Sequence, residues 1–350
     1  HFKPSRWAPW LLAATILALS VLWVFGPTIH HGWAPVDDEL NFLENPHYRG
    51  FSSENLRWMW TTRLAGHYIP LTWMTLAADF ERSGMNPHGY HATNVALHLG
   101  NALLFFALAA RLLRGTRPWP RALGAFVAAA FFAVHPLRVE SVAWITERRD
   151  LLCGFFVLLS VLAYLAATEA GERRSRRSLF GALSLLAFVA ALLAKGIAVA
   201  LPCALVALDA WLGRIDFDFE GDWRAWFTRT RPVWIEKLPY FALAVGFAAS
   251  TFWAISPVMV ERAELGLQHR LLAAGFGLWF YLEKTLVPWA IPFEIPWTHR
   301  LSFATDPAMA LCGLGFLALW GVAWGLRRRI PALVSALATP AFCVGDFFGL

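Results

Sequence analysis

With 350 residues, 58% of them hydrophobic and only 15% charged, and a mean hydropathy of +0.49, the chain is more apolar than a soluble domain of average composition. That excludes an ordinary water-soluble enzyme and points to an all-α polytopic membrane protein, whose net charge of +6 reads as cytoplasmic loop charge rather than as a nucleic-acid-binding surface. Cys153, Cys203, Cys312 and Cys343 are scattered through apolar segments without a CxxC pair, so packed free thiols are expected, not a disulfide framework or a zinc site.

A helix needs about 20 apolar residues to cross roughly 30 Å of hydrocarbon. Residues 7–29 meet that measure as a retained span, and Lys3 and Arg6 before them place the N-terminus in the cytoplasm. Residues 30–89 are polar, aromatic and interrupted by Gly and Pro, and read as an ordered external loop. Inside it, Ser52, Ser53, Glu54 and Asn55 ahead of Leu56, Met59 and Trp60 predict a capped, short amphipathic helix, and residues 71–80 a second helical piece. The next span, 90–113, runs inward and ends among Arg111, Arg114, Arg117 and Arg121, the firmest cytoplasmic signal in the chain.

Residues 122–134 lead out again, short for a crossing, and 135–150 form a second external loop on the side of the first. Residues 151–167 return to a cytoplasmic turn bearing Arg173, Arg174, Arg176 and Arg177. Then 179–194 goes out and 197–212 comes back, with Lys195 and Gly196 at the turn between them. Residues 213–236 read as a mixed-charge cytoplasmic loop with an amphipathic helix around Trp223, Trp226 and Phe227, followed by a span at 237–255. Residues 256–306 are expected outside, with 266–287 re-entrant or interfacial because Glu283 and Lys284 are expensive in lipid; spans at 307–326 and 330–350 follow.

Past the first span, Asp37, Asp38 and Glu39 crowd three carboxylates together, and a neighbouring negative charge raises one carboxyl pKa towards the range of a general base. The run VDDELNFLENPHYRG, then GHYIPLTWMTLAADFERSGMNPHGYHATNVALHLGNALLFF, then HPLRVESVAWITERRDLLCGFF and LLAKG, resembles the transmembrane and tetratricopeptide-repeat O-mannosyltransferase family and its bacterial relatives, which look like glycosyltransferases of the GT-C class. The resemblance covers roughly residues 30–215; beyond residue 240 only YLEKTLVPWAIPFEIPW is suggestive. Two departures stand out: no helical repeat of ~34 residues is present, and Gly196, where the family often has Pro, follows Lys195.

The resemblance implies a bundle that takes a hexose, mannose in the favoured case, from a polyprenyl-phosphate donor to a hydroxyl of a protein or glycan acceptor. It also implies a bacterial inner membrane with the active site facing the periplasm. It gives Asp37 the base role, with Asp38 orienting the acceptor or binding a divalent cation (Mg or Mn) if one is used, and Glu39 a lesser candidate. A departing lipid phosphate needs cations, and Arg138 is the first candidate, with Arg148, Arg149 and Lys195 behind it. His67, Tyr68 and Asn86, with His91 and Glu140, are candidates for the acceptor or sugar pocket. His91 and His98 share a helical stripe with Asn94 and Asn101, which favours interhelical hydrogen bonding over a metal site. The rival readings are a transporter or flippase, whose charges belong near the bilayer midplane, and an inactive envelope scaffold.

Overall fold

Lipid offers the backbone no hydrogen-bond partners, so apolar runs can cross a bilayer as helices that satisfy their own amides. The computed structural model describes residues 7–35, 37–113, 117–215, 222–263, 267–289 and 305–325, and among these every regular element is helical. Five helices are long and apolar enough to cross a membrane, or six if one bent pair counts as a single span, among the described residues. The contacts group into two units, residues 1–196 and 197–350.

In the first unit, α1 (Ala8–Phe25) continues through a 3-10 turn to His30. The first loop then carries α2 (Ser53–Thr61) and α3 (Pro70–Ser83). The expected cap is present, with the Asn55 amide donating to the Ser52 hydroxyl at 3.1 Å. Gly50 just before it sits at φ +91°, and a Cβ there would run into the Glu81 carboxylate. The loop has its own core of Phe42, Tyr48, Met59, Trp73 and Tyr90, with Trp58 edge-on to Trp73 at 5.2 Å between ring centroids. An aromatic core of this kind explains how a stretch rich in Gly and Pro stays ordered.

The bundle itself follows. Helix α4 (Pro87–Leu112) packs against α5 (Pro118–Val134), whose buried face is Ala122, Ala125, Ala129 and Ala133, small residues that let the helices approach closely. At 17 residues, α5 is roughly 25 Å long, short of the ~30 Å hydrocarbon layer. At His135-Pro136 the chain bends by 54° into a 3-10 turn and α6 (Val139–Ala143), because a residue before proline avoids the helical region. Next come α7 (Arg148–Thr168) and α8 (Arg174–Ala194), joined by a tight turn and tied by Ser160 and Ser184, whose hydroxyls each donate to the other's carbonyl at 2.8 Å.

The polar stripe on α4 makes the expected interhelical bonds. Asn94 Nδ2 donates to the Val142 and Trp144 carbonyls (3.4 and 3.3 Å), His98 Nε2 to Ala133 O (2.7 Å) and Asn101 Nδ2 to Leu151 O (2.8 Å). These bonds bring the start of α4, the end of α5 and the start of α7 to one end of the bundle. Thr72 donates to Ala194 O at 3.0 Å and adds the end of α8 to the same end. At the opposite end, Arg111 donates to Leu162 O (2.8 Å) and Arg121 to Ala110 O (2.6 Å), beside the α7–α8 turn with its four arginines.

The second unit departs further from expectation. Helix α9 (Leu201–Trp211) has 11 residues, so the anticipated span at 197–212 is a short apolar helix after a 3-10 turn. The helix expected around Trp223, Trp226 and Phe227 does form but does not stop at residue 236: α10 (Trp223–Ala263) runs 41 residues without a break. Lys237, taken as the start of a span, is buried mid-helix and pairs with the buried Asp209, while Arg214 joins Asp209 to Glu236 at 2.7 Å each. This network binds α9 to α10, and residues 216–221 of the expected loop lie outside the described residues. Helix α11 (Leu267–Leu286) covers the segment read as re-entrant or interfacial and is unbroken, as an interfacial helix can be; it meets α12 (Pro307–Gly325) where Gly275 and Gly313 leave room for backbone contact. The expected span at 330–350, Cys343 and the second half of YLEKTLVPWAIPFEIPW, residues 290–297, lie outside the described residues.

One interaction governs the loop end of the first unit. Arg148 is 0% exposed and pairs with Asp79 at 2.5 Å, while its other donors reach Asn94 Oδ1 (2.8 Å), Tyr90 O (2.8 Å) and Thr75 O (3.3 Å). Removing one partner of such a pair strands a buried charge, at a cost of about 3–5 kcal/mol. Arg148→Met is therefore expected to lower stability by about that amount in equilibrium unfolding from mixed micelles. Arg82→Met, which removes the exposed partner of the same Asp79, should change it by about 0–1 kcal/mol; equal effects would contradict the hub assignment.

Candidate functional site

Asp37 and Asp38 occupy one helical turn leading into the π-type turn Glu39–Leu43, and neighbours on a helix point about 100° apart. The two carboxylates accordingly part company. Asp38 is buried, its Oδ2 accepting from the Ala34 amide (2.8 Å) and its Oδ1 from the Thr146 hydroxyl (2.7 Å). Burial raises its pKa above the usual 3.8, and the Thr146 and Ala34 hydrogen bonds pull partly the other way. Asp37 is exposed and lines a cleft with Asn41, His67, Thr72, Thr146 and Arg149, between apolar walls that include Phe42, Ile69 and Trp73.

Thr146 joins the two loops. Besides donating to Asp38 it accepts from Asn41 Nδ2 at 3.2 Å, so the second loop is stitched to the acidic turn by one hydroxyl. Three residues on, Arg149 reaches the same cleft as Asp37, close enough for the Asp37 charge to act on its guanidinium. Its Nε donates to Glu147 Oε1 at 3.1 Å and its Nη2 contacts the same oxygen. Glu147 Oε2 accepts from Lys195 Nζ at 3.1 Å, and Lys195 also pairs with Asp150. Burial works against the Lys195 charge, yet Asp150 and Glu147 outweigh it and hold its pKa above the ordinary lysine value. His67 is exposed at its outer edge, but the protein packed around its ring, Arg149 and Lys195 all favour the neutral form and lower its pKa.

Of the anticipated residues, the fold thus gathers Asp37, Asp38, His67, Arg149 and Lys195, with Glu140 at the edge of the Glu147–Asp150–Lys195 cluster, within reach of its charges. Others lie elsewhere. Arg148 is locked into the scaffold described above. Arg138 stacks its guanidinium over the Phe132 ring at 5.1 Å, at the α5–α6 bend. Asn86 caps α4, accepting from the His88 amide at 3.1 Å, and Tyr68 donates to Trp60 O at 3.3 Å. His91 is buried, with Nε2 bonded to Gly32 O at 3.1 Å, and Glu39 is exposed outside the cleft lining.

Thr146 and Glu147 escaped the sequence reading as site residues, although both fall in the ITERRD motif. A threonine has no signature until its partner, 108 positions away, is known. No set of three or more His, Cys, Asp or Glu side chains is placed to hold a metal among the described residues. A cation at Asp38 would compete with Ala34 and Thr146 for oxygens already engaged, so the donor set fits one poorly. The cleft has about 40 Å³ of free volume, room for water but far below the ~300 Å³ of a typical ligand pocket, so a sugar would have to be admitted by movement of its walls.

Fold and cleft together define an all-helical polytopic membrane protein with an open acid facing a cation at one end of its bundle. Protein O-mannosyl-transferase TMTC4 of Homo sapiens is 30% identical over 196 residues, 51% of this chain and 26% of that protein. Protein O-mannosyl-transferase Tmtc1 of Drosophila melanogaster is 33% identical over 157 residues, covering 44% of this chain and 17% of its own, and human TMTC2 is 36% identical over 98 residues, covering 28% and 11%. Over these matching stretches the chain is similar to protein O-mannosyl-transferases. It spans about a quarter or less of the length of these curated relatives. No family model matches the chain, and no solved structure matches it either.

The contact between the loops is directly checkable. In a background lacking the four native cysteines, the pair Asn41→Cys and Thr146→Cys should form a disulfide under mild oxidation, seen as a cross-linked peptide by mass spectrometry. Failure to cross-link, with both thiols still reactive, would mean that the loops do not meet at Thr146.

Proposed function

We propose that the chain is a membrane glycosyltransferase of GT-C type that moves a hexose, mannose in the favoured case, from a polyprenyl-phosphate donor to a hydroxyl acceptor, a protein serine or threonine first among these. The reaction lies on the extracytoplasmic side, the periplasmic face of the inner membrane in a bacterium. One observation carries the reading: Asp37 is open to a cleft that Arg149 also lines, while Asp38 beside it is bonded into the scaffold. The names of the relatives agree with sugar transfer to protein.

In this reading Asp37 takes the proton of the acceptor hydroxyl, whose oxygen attacks the anomeric carbon on the face opposite the phosphate. The bond between that carbon and the phosphate oxygen breaks, so the anomeric configuration inverts, and polyprenyl phosphate departs with the electron pair. Arg149, with Lys195 behind it, offsets the charge that grows on the leaving phosphate; a guanidinium suits this because its fork matches two oxygens. Asp38 holds the turn so that Asp37 faces the cleft. The apolar walls, Phe42, Ile69 and Trp73, suit the first isoprene units of the donor.

A positioned general base contributes typically ~10²–10⁴-fold. Asp37→Asn should lower transfer of radiolabelled mannose from polyprenyl phosphate by about that factor in reconstituted vesicles, with donor binding retained. Equal transfer by both proteins would remove Asp37 from the base role, and no transfer by the wild type would favour a transporter or a scaffold.

The pH dependence adds a sign. A lowered His67 pKa means the ring is neutral above that value, and its charged form appears only on the acid side of the ordinary 6.5. The wild-type rate profile should therefore carry no step near 6.5 that His67→Gln removes. A step that disappears with the substitution would show His67 titrating normally.

A further inference from the structure

Arg149 and Lys195 lie on different elements, at the start of α7 and just past the end of α8, and two cations placed side by side repel. One carboxylate links them: Glu147, 6% exposed at its side chain, accepts from Arg149 on Oε1 (3.1 Å) and from Lys195 on Oε2 (3.1 Å). The positive end of the α7 dipole adds to the repulsion at Arg149, and Glu147 immediately before the helix opposes it. Glu147 is neither in the cleft lining nor a partner of Asp37.

We infer that Glu147 is a positioning residue for the donor phosphate, a buried carboxylate that keeps Arg149 and Lys195 adjacent so that both charges act on one phosphate group. The inference rests on the function proposed above and adds the residue that assembles the cationic half of the site. Glu147 touches no reacting atom; it acts through the two cations. Without its charge, Lys195 keeps only Asp150 as an ion-pair partner, and Arg149 loses the acceptor that fixes its guanidinium.

The groups that face Lys195 are Glu147, Arg149 and Asp150 on the 3-10 turn and α7, His67 on the first loop, Glu140 on α6, and Cys153, whose thiol donates to the Lys195 carbonyl at 3.9 Å. Loss of the Glu147 charge removes one of the two main supports of the Lys195 ammonium and leaves burial unopposed to that extent. The ammonium then loses its proton at a lower pH than in the wild type. A purely structural role would not move the alkaline limb of a binding profile in that direction.

The test is binding of polyprenyl phosphate to the purified full chain in nanodiscs as a function of pH, for wild type, Glu147→Gln and Glu147→Asp, with sugar transfer measured in parallel. Charge-assisted contacts of this kind predict that Glu147→Gln weakens binding roughly tenfold or more at neutral pH and shifts the alkaline limb downward. Glu147→Asp should recover part of both. Equal affinity in wild type and Glu147→Gln, or a weakening that is uniform across pH and accompanied by loss of folding in both variants, overturns the inference. Absence of binding by the wild type overturns it too, and if transfer persists in that case, the proposed function stands without this residue.

Discussion

A guanidinium fully removed from solvent fixes the end of the bundle on which everything else depends. Arg148 draws the Asp79 carboxylate of α3, the Tyr90 carbonyl and Asn94 of α4, and the start of its own helix onto one point. A buried ion pair is weak evidence for net stability, but it is demanding about geometry, because each stranded donor would be costly. The result is a frame in which loops separated by a hundred residues of sequence keep a fixed register. The aromatic core of the first loop fills the space beneath that frame.

The frame also explains why the charges come in pairs. Adjacent residues on a helical turn cannot face the same way, so each doublet divides its labour. In the acidic doublet Asp38 is bonded to Ala34 and Thr146 while Asp37 faces the cleft; in the basic doublet Arg148 is locked into the scaffold while Arg149 lines the same cleft. One member of each pair anchors and the other is presented. The function proposed for the cleft follows from the two presented members, an open acid opposite a guanidinium, with Lys195 held behind the latter by Glu147.

The apolar runs were legible in sequence because a bilayer imposes a length and forbids polar interruptions, and the helices at 8–25, 87–112, 148–168 and 174–194 fall where hydropathy put them. The cap at Ser52 and the hydrogen-bonding stripe on α4 were legible too, since each depends on local spacing. What sequence could not separate was Arg148 from Arg149, or the anchoring Thr146 from any other threonine, because those distinctions are set by partners 54 to 108 positions away. Residues 213–236 misled for a related reason. Their mixed charges suggest a solvated loop until Asp209 on α9 and Arg214 just after it are seen to pair with Glu236 and Lys237 on α10.

The account comes to a point at the cleft between Asp37 and Arg149. An electron cryomicroscopy structure with a non-transferable phosphonate analogue of polyprenyl-phosphate mannose tests it most directly. The phosphonate is predicted within hydrogen-bond distance of Arg149, the mannose anomeric carbon turned towards Asp37, and the isoprene chain against Phe42, Ile69 and Trp73. A phosphonate seated instead at Arg138, or in the second unit beside Arg214 and Lys237, would contradict it.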